Sequence, residues 1–476
     1  MEFFFAVLFL LIYNLRPQDW LPGLAGMEIV RPIVGLWLLA LAAARSRPSP
    51  LVGILRTPHD WVLLIYLAYI VIWGGGSVTG ILPMLAFYFF TVQSINTWEN
   101  LLSYLKFWTL ALIIISAFGV LNTFGIDITG ARDNFYTQLG RLALGTYLHD
   151  NPNALGHSIV SVIPAVYILY FWKGSLSGRF LVFPVAAGVA FYCAWLTQSK
   201  GAYIVGGALI VVAFILGKPR WLQLIAVAMA LIAGVSALSF LPRMSELSNL
   251  RGDEGVQGRL LAWEMARTAM ERNPTGVGFN QFIAMVPWQE GNYYLIVPKA
   301  THSSYVHVGA DLGRYGLFLY LACLWCALHT LIAFRSAELQ HERCRRVLLV
   351  LLTGYLLSGW MINRQYHTEF FLLIAATAAL HRLKKAEELP KAPEGVPMEN
   401  ESVSTKRDSA VLVRNTLNKV RDAWKDRDPL AFGPTAASPL PRKPLWNRFA
   451  LYDLCTCLGL TWLILWTWDY VLTNFI

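Results

Sequence analysis

Long apolar stretches separated by short polar turns run from the first residues of the chain to about position 380. The stretches 105–121, 154–172, 181–196, 202–216, 222–241 and 317–334 are nearly free of charge. Crossing about 30 Å of hydrocarbon takes about 20 residues as helix, and these runs approach that length. They do not alternate apolar and polar at every second position, as the roughly ten-residue strands of a membrane β-barrel do. The pattern predicts an all-α polytopic membrane protein. The apolar opening, 1–15, lacks a basic leader and a small-residue cleavage site, and reads as the first membrane helix.

Basic residues punctuate the turns in groups: Arg45, Arg47 and Arg56, then Lys173 and Arg179, then Lys218 and Arg220. Further groups are Arg335, Arg343, Arg345 and Arg346, and finally Arg382, Lys384 and Lys385. Placing all of them on the cytoplasmic side requires an even number of helices between successive groups, and the apolar segments satisfy that parity. The result is about 12 transmembrane helices within 1–382, with connections 16–27, 74–77, 122–153, 197–200, 242–302 and 363–368 facing outward. Of these, 122–153 and 242–302 are long. A loop beyond about 15 residues in a compact protein is usually functional or disordered, and aromatic residues and helix-like patterns favour a large, folded, helical outer loop. Residues 383–448 are rich in charge and proline and read as a cytoplasmic linker, with an amphipathic helix near 404–425. Residues 449–476 read as one extra C-terminal transmembrane helix. No internal repeat is apparent, which speaks against an inverted-repeat transporter.

Composition sharpens this picture. The 476 residues are 56% hydrophobic and 14% charged, against roughly 25% charged in soluble proteins. The net charge of +10 falls largely in short loops and the tail, the pattern of topology signals and contacts with anionic membrane lipids, and nucleic acid is not an expected partner. The six cysteines lie in or beside apolar runs. Cys323 and Cys326 have C-x-x-C spacing but no second pair or nearby His to complete a zinc site, so they read as small apolar filler and no metal site is expected.

Chemistry concentrates in the outward connections. In the larger loop a helix opens near Gly258 and runs to Arg272, where Asn273-Pro274 ends it. Arg259, Trp263 and Arg267 are spaced by four and share one face. They fit an interfacial helix with snorkelling arginines or a cationic binding face. The following Thr275-Gly276-Val277-Gly278 lets the backbone approach something closely, but it is weak as a phosphate cradle. Thr301-His302-Ser303-Ser304-Tyr305 closes the loop, before Asp311, Gly313, Arg314 and Gly316. His302 at that boundary suits a base, since an ordinary histidine titrates near about 6.5; the plainer reading is a capping segment with Thr301 or Ser303 as cap. Lys200 is a lone cation in a tight turn between apolar helices, either snorkelling or contacting an anion. In the smaller loop Arg132, Arg141 and His149 can line a polar mouth, and Asn153 reads as a helix cap.

Four pieces in order carry a resemblance: Asp150-Asn151-Pro152-Asn153-Ala154-Leu155-Gly156; Ser199-Lys200-Gly201; Gly258-Arg259 with Trp263; and Thr301-His302-Ser303-Ser304-Tyr305 with Leu312-Gly313-Arg314-Tyr315-Gly316. Over roughly 101–380 the chain resembles the O-antigen ligase and polymerase superfamily of bacterial envelope glycosyltransferases. Leu15-Arg16-Pro17-Gln18-Asp19-Trp20 adds a fainter likeness to ligase-like members in exopolysaccharide or exosortase settings. The resemblance implies a GT-C-like bundle in the bacterial inner membrane with its active site facing the periplasm. It implies a donor glycan on undecaprenyl diphosphate, an acceptor that is lipid A core, another glycan or a protein hydroxyl, and no metal or cofactor. The family's catalytic histidine falls on His302. Its diphosphate-binding arginines fall on Arg259 and on position 200, where this chain has Lys200; lysine neutralises a phosphate without the bidentate fork of arginine. Arg141, Asn153, Trp263, Arg267, Tyr305 and Arg314 are further candidates for substrate contact.

A glycosyl diphosphate carries its own leaving group, so cations and one base suffice. Paired carboxylates for a covalent intermediate are not evident, and direct displacement with inversion follows. A polysaccharide polymerase and a protein O-glycosylation ligase share this donor chemistry. A lipid-linked oligosaccharide flippase or exporter instead predicts charges inside the bundle, whereas the candidate cations cluster at one face. The 383–448 tail can also serve as a docking segment for polysaccharide assembly proteins.

Overall fold

The apolar stretches fold as helices because a backbone in hydrocarbon must satisfy its own hydrogen bonds. In the computed structural model, which describes residues 1–45, 55–238, 254–290, 293–388 and 445–475, the first six helices are α1 (Glu2–Leu15), the single turn α2 (Pro17–Trp20), α3 (Val30–Arg45), α4 (Pro58–Ile72), α5 (Val78–Ser94) and α6 (Trp98–Thr123). After the one-turn α7 (Phe135–Gln138) come α8 (Pro152–Ile159), α9 (Val162–Val166), α10 (Phe183–Thr197), α11 (Lys200–Ile215) and α12 (Arg220–Leu238). The chain continues through α13 (Glu254–Arg272), a hairpin of β1 (Ala284–Glu290) and β2 (Tyr293–Lys299), then α14 (Ser304–Ala333), α15 (Leu339–Ser358), α16 (Thr368–Glu388) and α17 (Leu451–Phe475). Met1–Lys384 and Leu445–Ile476 belong to one unit. The linker reading for 383–448 falls almost wholly outside the described residues.

Five segments are long and apolar enough to cross a membrane by length and composition: Trp98–Thr123, Pro152–Phe171, Gly178–Thr197, Ser304–Ala333 and Leu451–Phe475. The expected dozen is not reached by that measure, because α1, α3, α4, α5 and α11 have 14 to 17 residues. At the centre lies α16, where every residue from Phe370 to His381 is buried. A helix apolar on all sides belongs in the middle of such a bundle.

Two expectations need correction. The large outer loop is not wholly helical: α13 is followed by the antiparallel hairpin β1–β2, which pairs Ala284 with Lys299. Val, Ile and Tyr in Tyr293–Lys299 favour a strand, which pairs only where β1 supplies a partner. The cap of the helix after the smaller loop is Asn151, whose side chain accepts from the Asn153 N–H, with Pro152 in the first turn. Asn153 is thereby released for other contacts. Ser303 caps α14 by accepting from the Val306 N–H.

Candidate functional site

The glycine-rich turn after α13 finds its close approach in α14. Gly313 has φ +67° and interrupts the regular helix. A Cβ there would lie 2.0 Å from the Pro274 carbonyl oxygen, and one on Gly276 would lie 2.2 Å from that of Asp311. Only glycine permits both the backbone angle and the contact. The Val277 and Gly278 N–H groups then donate to the Ala310 and Asp311 carbonyls. The Asp311 carboxylate accepts from the Phe282 N–H at 2.8 Å, the Asn280 N–H at 3.2 Å and the Tyr366 hydroxyl at 3.0 Å. This buried clamp fixes where α13 stops and where the hairpin begins.

His302, between the end of β2 and the start of α14, has φ +49°. Histidine is among the few residues that tolerate left-handed backbone, at an energetic cost. The indole N–H of Trp263 on α13 donates to the Thr301 carbonyl at 2.7 Å, tying the helix to the peptide just before His302. Burial first, then the positive charges of Arg259 and Lys299, push the His302 imidazole down to about 4. His302 and Arg259 are therefore brought together, and Lys299 joins them from the end of β2. Arg259 also lies within electrostatic reach of His157 on α8.

A second polar cluster sits at the turn between α10 and α11. Gly156 and Gly201 let α8 and α11 close on each other: a Cβ on Gly156 would meet that of Ala202 at 2.8 Å, and one on Gly201 would meet His157 Nε2 at 3.0 Å. Asn153 Oδ1 accepts from Ser199 Oγ at 2.8 Å and from Arg141 Nη2 at 3.3 Å, while Arg141 Nε donates to the Thr197 carbonyl. Lys200 is the first residue of α11, next in the chain to Gly201, which packs against His157. The first and second sequence pieces thus interlock, and His157 links them to the side from which Arg259 acts.

Other candidates take structural places. Arg267 forms a two-pronged ion pair with Asp469 of α17, at 2.6 and 3.1 Å. Tyr305 is buried, and its hydroxyl donates to the Leu356 carbonyl at 2.7 Å. Arg314 is exposed. His149 is buried against Thr146, its imidazole held down to about 3 by burial and by the charges of Arg364 and Arg16. Arg132 is exposed, and its guanidinium donates to the Asn122 carbonyl at 3.4 Å. Among the described residues no group of three or more His, Cys, Asp or Glu is arranged to hold a metal ion, and all six cysteines are free, five of them buried.

Sequence reasoning missed Arg364. Its guanidinium is buried, donating to Glu369, to the Ala154 carbonyl and to Ser158 Oγ at 2.8, 2.6 and 2.6 Å. It borders a cavity of about 20 Å³ shared with His157, Ser358 and Glu369, room for about one water. A lone arginine in a short loop between strongly apolar helices was the available signal. A larger cavity, about 360 Å³, is lined by Arg16 and Gln18 of the Leu15–Trp20 motif together with Tyr147, Tyr366 and His367.

Residues 185–321 match the O-antigen ligase family. That segment supports a place in the O-antigen ligase and polymerase superfamily. The segment begins in α10 and ends within α14, so it contains Lys200, Arg259, Trp263, Lys299, His302 and the Gly276–Gly313 contact. No curated protein matches the chain. Apolar helices and family together make this a multi-pass membrane protein with ligase- or polymerase-type glycan chemistry.

Proposed function

We propose that this protein is an O-antigen ligase-type glycosyltransferase of the bacterial inner membrane. In this reading it moves a glycan from undecaprenyl diphosphate to an acceptor hydroxyl at the periplasmic face, in lipopolysaccharide or exopolysaccharide synthesis. One observation carries the reading: a half-buried imidazole, His302, on left-handed backbone, stands within electrostatic reach of Arg259 and Lys299 inside the family segment.

The acceptor oxygen forms a bond to the anomeric carbon while the bond from that carbon to the diphosphate oxygen breaks. The bonding electron pair leaves with undecaprenyl diphosphate, whose growing negative charge meets Arg259 and Lys299, with Lys200 as a further candidate cation. The acceptor proton passes to His302. With the base at about 4, the imidazole is unprotonated at neutral pH but weakly basic in the free protein. The donor diphosphate introduces negative charge beside it, which favours the imidazolium and raises its proton affinity. The base therefore strengthens when the donor is in place. Displacement in one step inverts the anomeric carbon, and the protein's own cations supply the leaving-group stabilisation without a metal or cofactor.

The test is transfer by purified protein in lipid, using an undecaprenyl-diphosphate oligosaccharide and a panel of acceptors. Wild-type transfer that disappears in folded Arg259→Ala and His302→Asn variants supports the assignment. Acceptance of a second lipid-linked glycan would make it a polymerase, and of a peptide hydroxyl a protein ligase. Movement of the lipid across the bilayer without transfer would overturn the enzyme reading in favour of a flippase.

A further inference from the structure

The last helix lies outside the family segment, which ends at residue 321, yet it is fastened at both ends to elements that build the site. At its start, Asp453 is buried and accepts from Trp325 Nε1 at 2.9 Å and from the Ala450 N–H, and its Oδ1 lies 2.7 Å from His329 Nδ1. Trp325 and His329 are on α14. Just upstream, Trp446 stacks on His329 with ring centroids 4.4 Å apart, and its carbonyl lies 2.7 Å from His381 Nε2. Near its far end, Trp468 is fully buried among Ala266 and Met270 of α13 and Val306 and Ala310 of α14. Its ring fits against Gly309, where a Cβ would approach it to 3.0 Å. The Trp468 indole donates to the Trp263 carbonyl at 3.3 Å, and Asp469 holds Arg267.

Only 17% of the apolar part of α17 is buried. A helix held merely by lipid has no need of a buried carboxylate at Asp453, a half-exposed ion pair at Asp469 and a tryptophan seated on a glycine, because charged groups in such surroundings are costly unless paired. Its inward contacts run along α14 and, near the far end, reach α13, the helix that carries Arg259, and Trp263, whose side chain holds the Thr301 carbonyl next to His302.

We propose that α17 is a positioning strap: through Asp469 on Arg267 and Trp468 on α13 and Gly309, it holds Arg259 and the Thr301–His302 peptide in register. Asp469 and Trp468 are positioning residues that touch no substrate. The catalytic half of this inference rests on the transferase reading; the mechanical half does not.

The experiment compares Asp469→Asn, Asp469→Glu, Trp468→Ala and Trp468→Phe in the full chain, with exposed Trp462→Ala as control. Two readouts are taken in the same lipid: amide hydrogen exchange and the transfer assay. Asp469→Asn and Trp468→Ala should speed exchange in 254–272 and 299–307 while α6 stays protected. They should lower kcat on the order of 10–100-fold, as small misplacements of reacting groups do, with little change in donor KM. Asp469→Glu and Trp468→Phe should recover most of the loss, and Trp462→Ala should match wild type. Unchanged exchange at 254–272 overturns the strap, and so does faster exchange with kcat intact. If wild type transfers nothing to any acceptor, the transferase reading fails on its own, and exchange still decides whether α17 holds α13.

Discussion

Arg259 and Arg267 stand two turns apart on one face of α13, and the two ends of that helix use the same residue type differently. At one end Arg267 is matched by Asp469 and by Glu271 at 3.1 Å. At the other, the charge of Arg259 bears on His302 and on His157 and, with Lys299, holds the His302 imidazole near about 4. A cation locked to carboxylates on neighbouring elements stabilises the fold. One that concentrates positive potential on a half-buried imidazole prepares a place for an anion. Shared helical spacing cannot separate these roles, because the deciding partner of Arg267 lies 202 residues away.

The comparison breaks first at its active end. Arg259→Ala and His302→Asn should each lower transfer by about 10²–10⁴-fold with folding retained, the range for lost charge stabilisation or lost proton transfer. Asparagine is chosen at 302 because it tolerates the left-handed backbone. Equal losses from Arg267→Ala, with α13 still protected from exchange, would erase the distinction.

The scaffold supplies the next largest effect. Gly313→Ala should destabilise the protein by about 2–5 kcal/mol, since it combines strained backbone with overpacking. The expected sign is a lower melting temperature together with faster exchange in 273–282. A silent Gly313→Ala would show that the turn does not bear on α14 as described.

A titration sharpens the electrostatic half. His302 stays unprotonated in the free protein down to about pH 4, so the acid limb of kcat/KM should fall near there, well below the ordinary value of about 6.5. Bound diphosphate favours the imidazolium, and the acid limb of kcat should therefore lie at higher pH than that of kcat/KM. Coincident limbs near 6.5 would mean that another group is titrating.

The smallest effect concerns position 200. Lys200→Arg should change donor KM by less than about 10-fold and in the tighter direction, because the guanidinium fork adds a second hydrogen bond to a phosphate. Arg259→Lys should loosen donor binding by more than that. A reversed order would make the second polar cluster the main anion contact.

Much of this protein is legible in one dimension. Lengths of uncharged sequence mark the helices, and Asn273-Pro274 marks the end of α13, because backbone satisfaction in lipid and proline geometry are local matters. The order of the short motifs likewise pointed to the O-antigen ligase family, whose match spans 185–321. Elsewhere the distances are too long for any local pattern. The hairpin needs its two strands to meet, Arg364 needs α8 to bury it, and Arg141 became a ligand of Asn153 only once Asn151 had taken the cap. The last helix shows the limit most plainly. Its 25 residues announce a membrane span by composition alone, but nothing along the chain says which helix it will lie against. That depended on a glycine at 309 leaving room for Trp468 and on an arginine at 267 needing a carboxylate, two complementarities that exist only after α13 and α14 have packed.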